Sequence, residues 1–123
     1  MNGLALWFMV LGLVAALAGM SWGLYMSGIE DHSLSPAHGH LNLLGFVAFS
    51  VFAFYYHAVP GADVGLLPRL HFLLSVAGLA LMVPGTALAI QGGTPAFAIA
   101  GSITSALGML SFLVVVLRGA HAG

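Results

Sequence analysis

Four stretches of about 20 or more mostly apolar residues divide this chain, and each is long enough for an α-helix to cross roughly 30 Å of hydrocarbon at 1.5 Å per residue. Only five of the 123 residues are Lys, Arg, Asp or Glu, and mean hydropathy is +1.11. Such a chain has too little polar surface to cover a soluble core. The pattern predicts an all-α fold: a polytopic membrane protein with four transmembrane helices in a bundle. They form one transmembrane domain over residues 1–123, with spans at about 4–27, 36–59, 67–90 and 95–117. A membrane barrel would need short alternating segments, which the sequence lacks. The absence of cysteine excludes disulfides, iron–sulfur clusters, thiolate-bound metals and cysteine nucleophiles. With two basic residues, nucleic acid is not a partner.

The first span carries Trp7 and Phe8 at one end and Trp22 and Tyr25 toward the other, as expected of interfacial belts. Ala16-Leu17-Ala18 has the look of a cleavage site, but no basic segment precedes it, so a retained helix is expected. Gly12, Ala16, Gly19 and Gly23 form a small-residue stripe at helical spacing that is expected to pack against another helix of the same chain. His71, Ser75, Gly78, Met82 and Gly85 share one face of the third span. Gly101, Thr104, Gly108 and Ser111 form a packing face on the fourth. Pro84-Gly85 is expected to kink the third span.

The chemistry concentrates in Ala37-His38-Gly39-His40-Leu41-Asn42, where a polar loop becomes the second span. Ser35-Pro36 supplies an N-cap and an N1 proline, which places both histidines in the first two turns. Residues two apart on a helix are separated by roughly 200°, so the two imidazoles point to opposite sides and cannot share one ligand. Imidazole is a neutral nitrogen ligand for iron, copper or zinc, and an ionisable group in a membrane span is costly unless it has a use. One expectation is that each imidazole holds a separate metal centre; the other is that both are wet interfacial residues. His57, at the far end of the span, is roughly 30 Å from His38 and belongs to no common site. It flanks a short loop with His71, and a hydrogen-bonded interfacial pair is expected there, with a metal site as the alternative. The spans contain no acid, no lysine and no convergent base and nucleophile, so no catalytic residue is assigned.

The stretch AHGHLNLLGFVAFSVFAFYYHAVP, followed by LPRLHFLLSVAGLALMVPG, resembles the tenth and eleventh helices of the catalytic subunit of heme-copper oxidases and nitric oxide reductases. The likeness is good over roughly residues 30 to 85 and looser outside. In that superfamily an H-x-H pair carries two hemes, one on each face. By this resemblance His38 corresponds to the high-spin heme ligand and His40 to the low-spin ligand. Asp31 resembles an aspartate kept near the heme propionates and a bound divalent ion, and His71 with Gly78 resembles a histidine and glycine that bind no heme. The copper or non-heme iron ligands of the full subunit lie on helices this chain lacks, so one copy cannot reduce oxygen or nitric oxide by the family mechanism.

The resemblance implies a homo-oligomeric membrane protein binding heme b for electron transfer or for a diatomic gas. Its partners are a second copy of itself, the lipid bilayer and a redox partner. Two further readings stand beside it. One is a copper- or zinc-binding membrane protein using His32, His38 and His40. The other is an accessory subunit of a respiratory complex whose histidines are interfacial. Arg69 and Arg118 fall on the N-terminal side, so the positive-inside rule predicts a multi-pass protein of a bacterial-type inner (plasma) membrane with both termini cytoplasmic.

Overall fold

The computed structural model describes residues 1–122, with side chains to Gly119. Four helices long and apolar enough to cross a membrane pack together, and the described residues contain no strand. We label them α1 (Gly3–Ile29), α2 (Ser35–Ala58), α3 (Leu66–Ile90) and α4 (Ala96–Ala122). Successive helices run antiparallel. The start of α1, the α2–α3 loop and the end of α4 therefore lie at one end, and the α1–α2 loop and α3–α4 turn at the other.

Small residues set the packing. Against α2, a Cβ on Gly12 would sit 3.2 Å from Phe49 Cβ, and Gly19 and Gly23 face Asn42 and His38. The small stripe of α1 thus packs within the chain. His71, Ser75, Gly78, Met82 and Gly85 are all buried, the last four along α4. The two partners are in reciprocal register: Gly78 lies under Ser105, Gly108 under Ser75, Gly85 under Phe97 and Ala98, and Gly101 under Met82. Close backbone approach of this kind replaces the hydrophobic drive that is missing between helices in lipid. By backbone approach, α4 packs against α3 alone among the described residues, and it meets α2 through side chains such as Phe112.

Several details differ from what the pattern predicts. Leu34 occupies the cap position of α2, so Ser35 is its first helical residue and Pro36 follows inside the first turn. Over Leu41–Val47 the helix widens to π geometry, and the Ala48 N–H reaches back five residues to the Leu43 carbonyl. Gly45 sits in this segment against Ala15 of α1. Phe8 is no belt residue: it is fully buried, in edge contact with Phe49, Phe52 and Phe72, because its side of α1 faces the bundle while Trp7 faces out. Pro84 stands inside α3, where the sequence places it, on the exposed side of the helix.

Candidate functional site

The turn that delivers the chain to α2 is built locally. Glu30 closes α1 in a left-handed conformation (φ 54°), and its N–H and that of Asp31 return to Met26 and Ser27 carbonyls. Asp31 Oδ1 accepts the Ser33 N–H at 3.0 Å, which holds the Asp31 carboxyl below its ordinary value of 3.8. His32 is exposed on this loop.

From there His38 and His40 diverge on either side of the buried Ala37. Both rings are half-buried, and each turns toward a different helix. His38 leans on α1, where its Nε2 lies 2.8 Å from the Gly19 carbonyl and its ring meets Trp22 edge-on with centroids 6.0 Å apart. A carbonyl only accepts, so Nε2 donates and carries the proton, and the lone pair of the neutral ring is on Nδ1. Asn42, one turn on, donates its Nδ2–H to the His38 carbonyl at 3.0 Å and lies 3.2 Å from His38 Nε2. Gly19 and Gly23 are what admit this polar pair: a Cβ on Gly19 would run into the Asn42 amide, and one on Gly23 would sit 3.2 Å from His38 Nε2.

His40 leans the other way. Its Nδ1 lies 3.4 Å from Thr86 Oγ1 of α3, the one hydrogen bond its ring makes among the described residues. One ring nitrogen is thus tethered and the other is open. That is the arrangement of a metal-binding imidazole, whose second nitrogen is normally fixed by a neighbouring polar group. His38 shows it too, with the nitrogens exchanged: Nε2 is fixed by the Gly19 carbonyl at 2.8 Å and Nδ1 keeps the lone pair.

A porphyrin needs walls as well as a ligand. Four cavities, of about 320, 20, 510 and 300 Å³, are lined by other residues, none by His38 or His40. Among the described residues no group of three or more His, Cys, Asp or Glu is placed to hold a metal ion.

The expected pair of His57 and His71 does not form. His57 is exposed, whereas His71 is fully buried, with its Nδ1 2.8 Å from the Tyr56 hydroxyl. Adjacent residues on α2 point about 100° apart, so the tyrosine that faces inward puts His57 outside. Phe8, Phe52 and Phe112 surround the His71 ring at centroid distances of 5.1, 4.4 and 4.9 Å. The remaining nitrogen, Nε2, is buried without a hydrogen-bond partner among the described residues.

Sequence reasoning found the two histidines and missed their partners. Asn42 was findable, since a residue four after His38 shares its face. Thr86 was not, being 46 residues from His40. The fold and this end of the bundle define a small polytopic helical membrane protein with two imidazoles turned to opposite neighbours. Comparison with family models, curated proteins and solved structures gives no match.

Proposed function

We propose that this chain is a membrane heme b subunit that offers His40 as an axial ligand and works as a homo-oligomer, a second copy closing the site. The observation that carries the reading is the His40 ring, tethered at Nδ1 by Thr86 and open at Nε2. It rests also on the H-x-H resemblance, in which the second histidine is the low-spin ligand. Closed cyclic symmetry is the common way for a small chain to complete a site that one copy leaves open. Heme, when bound, would supply one-electron exchange or a coordination position for a diatomic gas. The chain's own part is to orient the imidazole, to keep it in a low-dielectric layer, and to set the helix angle through the His38–Gly19 strut. In this reading His38 is a strut through Nε2, and Nδ1 is the nitrogen it would offer to a second heme. The two arginines, both at the end that holds the N-terminus, favour cytoplasmic termini in a bacterial-type inner membrane, with His38 and His40 near the opposite surface.

Protein produced with ample heme and purified from membranes should be red, with a Soret band and stoichiometric iron. His40→Ala should abolish the band. Colourless protein from heme-replete cells sinks the proposal.

A second reading follows from the same hydrogen bonds. If His38 and His40 serve only to tie α2 to α1 and α3, the chain is an accessory subunit of a respiratory complex. Purification in mild detergent then brings down larger partners, and His40→Gln, which keeps a hydrogen bond to Thr86, changes nothing. Elemental analysis of the same sample separates either reading from a copper or zinc protein.

A further inference from the structure

The acidic and basic side chains of this chain are divided between the two ends of the bundle. Arg69, Arg118 and Asp63 lie at the end that holds the N-terminus, and Glu30 and Asp31 lie at the other. The first end is therefore the one that draws an anion. Asp63 leaves the arginines free of it by leaning on the start of α1, where its Oδ2 is 3.4 Å from the place of a Cβ on Gly3.

Arg118, unlike Arg69, stands at a cavity. This cavity, of about 320 Å³, lies between the turn at residues 59–62 that follows α2 and the last turns of α4, where Val115, Arg118 and Gly119 line it. Gly119 is what lets the two elements meet, since a Cβ there would lie 2.6 Å from the Tyr55 hydroxyl. The walls are of two kinds. Val115 is buried and lies three residues, roughly 4.5 Å, deeper in the bilayer than Arg118, and Val59 and Ala62 add apolar surface. The rest is an exposed guanidinium and turn backbone. Pro60 has no N–H to give, and the turn is closed by the Ala62 N–H on the Val59 carbonyl and the Val64 N–H on the Gly61 carbonyl, both at 3.2 Å. The Gly61 N–H is left with no backbone partner among the described residues.

We propose that this cavity is a binding site for the headgroup of an anionic phospholipid, its phosphate taken by the Arg118 guanidinium and the Gly61 N–H. A guanidinium presents a planar fork of donors that matches phosphate oxygens. The volume is at the small end of ligand sites, a size for a headgroup and not for a whole lipid. A basic pocket between helices at the membrane surface is a setting in which such headgroups bind. Free inorganic phosphate carries the same charge but gains nothing from Val59, Ala62 and Val115, which suit the first methylenes of an acyl chain. The site is independent of the heme reading, since His38 and His40 lie at the opposite end of the bundle.

The test uses the full chain in detergent, with native mass spectrometry reading the lipid retained from equal amounts of phosphatidylglycerol and phosphatidylcholine. One basic contact predicts a preference of about fivefold for phosphatidylglycerol. Arg118→Gln should remove the preference, and Arg69→Gln, at the same end but outside the cavity, should keep it. Inorganic phosphate in large excess should leave the lipid in place. If Arg118→Gln misfolds, the unsubstituted protein decides: with isotope-labelled arginine in phosphatidylglycerol bilayers, lipid phosphorus should dephase the solid-state NMR signal of the Arg118 guanidinium more than that of Arg69. Equal loss of preference in the two variants, displacement of the lipid by inorganic phosphate, or equal dephasing at the two arginines would each overturn the proposal.

Discussion

Gly101→Ala is the sharpest probe of the packing that holds α3 against α4. A Cβ on Gly101 would lie 2.6 Å from the Met82 nitrogen, 2.8 Å from its Cα and 3.0 Å from the Leu81 carbonyl carbon. All three are backbone atoms, so no rotamer change relieves the clash. Opening the nearest contact from 2.6 Å to an ordinary 3.4 Å separates the helices by roughly 0.8 Å and strips dispersion from the pairs on either side. Overpacking of this kind costs about 1–3 kcal/mol, and the backbone origin puts this case at the top of that range. Alanine returns about 1 kcal/mol of helix propensity, leaving a loss of about 2 kcal/mol, near thirtyfold in the folding equilibrium. Two controls bracket it. Gly108→Ala meets Ser75 Oγ at 3.2 Å and needs only a few tenths of an ångström, so its change should be within about 0.5 kcal/mol of zero. Gly39→Ala meets nothing within 4 Å and should gain up to about 1 kcal/mol. Reversible unfolding in mixed detergent micelles gives the ranking directly. If Gly101→Ala proves as stable as Gly39→Ala, the close α3–α4 approach is wrong.

Three further outcomes follow. His38→Ala should cost about 0.6–1.7 kcal/mol, the range for hydrogen bonds between membrane helices, and loosen α1 from α2 in the same unfolding assay. Tyr56→Phe strands His71 Nδ1 as well as Nε2 and should cost about 1–3 kcal/mol, whereas Tyr56→Phe combined with His71→Phe should recover most of it. For Asp31 the sign is set by its lowered value: the turn is favoured above the ordinary 3.8 and loosens only as pH falls through the lower, folded value. An NMR titration of the Ser33 amide should therefore show a midpoint below 3.8, and Asp31→Asn should flatten it.

What the sequence made legible was the small-residue logic. A stripe such as His71, Ser75, Gly78, Met82 and Gly85 at helical spacing has one plain use in a span, and every member is buried. The opposed directions of His38 and His40 followed from helix geometry alone, and the two rings do lie against different helices. Tertiary surroundings hid the rest. His71 reads as interfacial from its place in the first turns of α3, yet Phe8 from α1 and Phe112 from α4 close over it. The π segment leaves no mark in composition, because one misaligned turn costs little locally and is stabilised by the way Gly45 seats on α1. The link from His40 to Thr86 depends on the antiparallel register of α2 and α3, which no short window contains.

The near-exclusive attachment of α4 to α3 bears on how the molecule is made. The last two spans, joined by the short Gln91–Pro95 turn and locked by mutual Ser–Gly notches, form a hairpin able to leave the translocon as one piece. Chains cut within the 59–65 loop and co-expressed as two fragments should accordingly find each other in the bilayer.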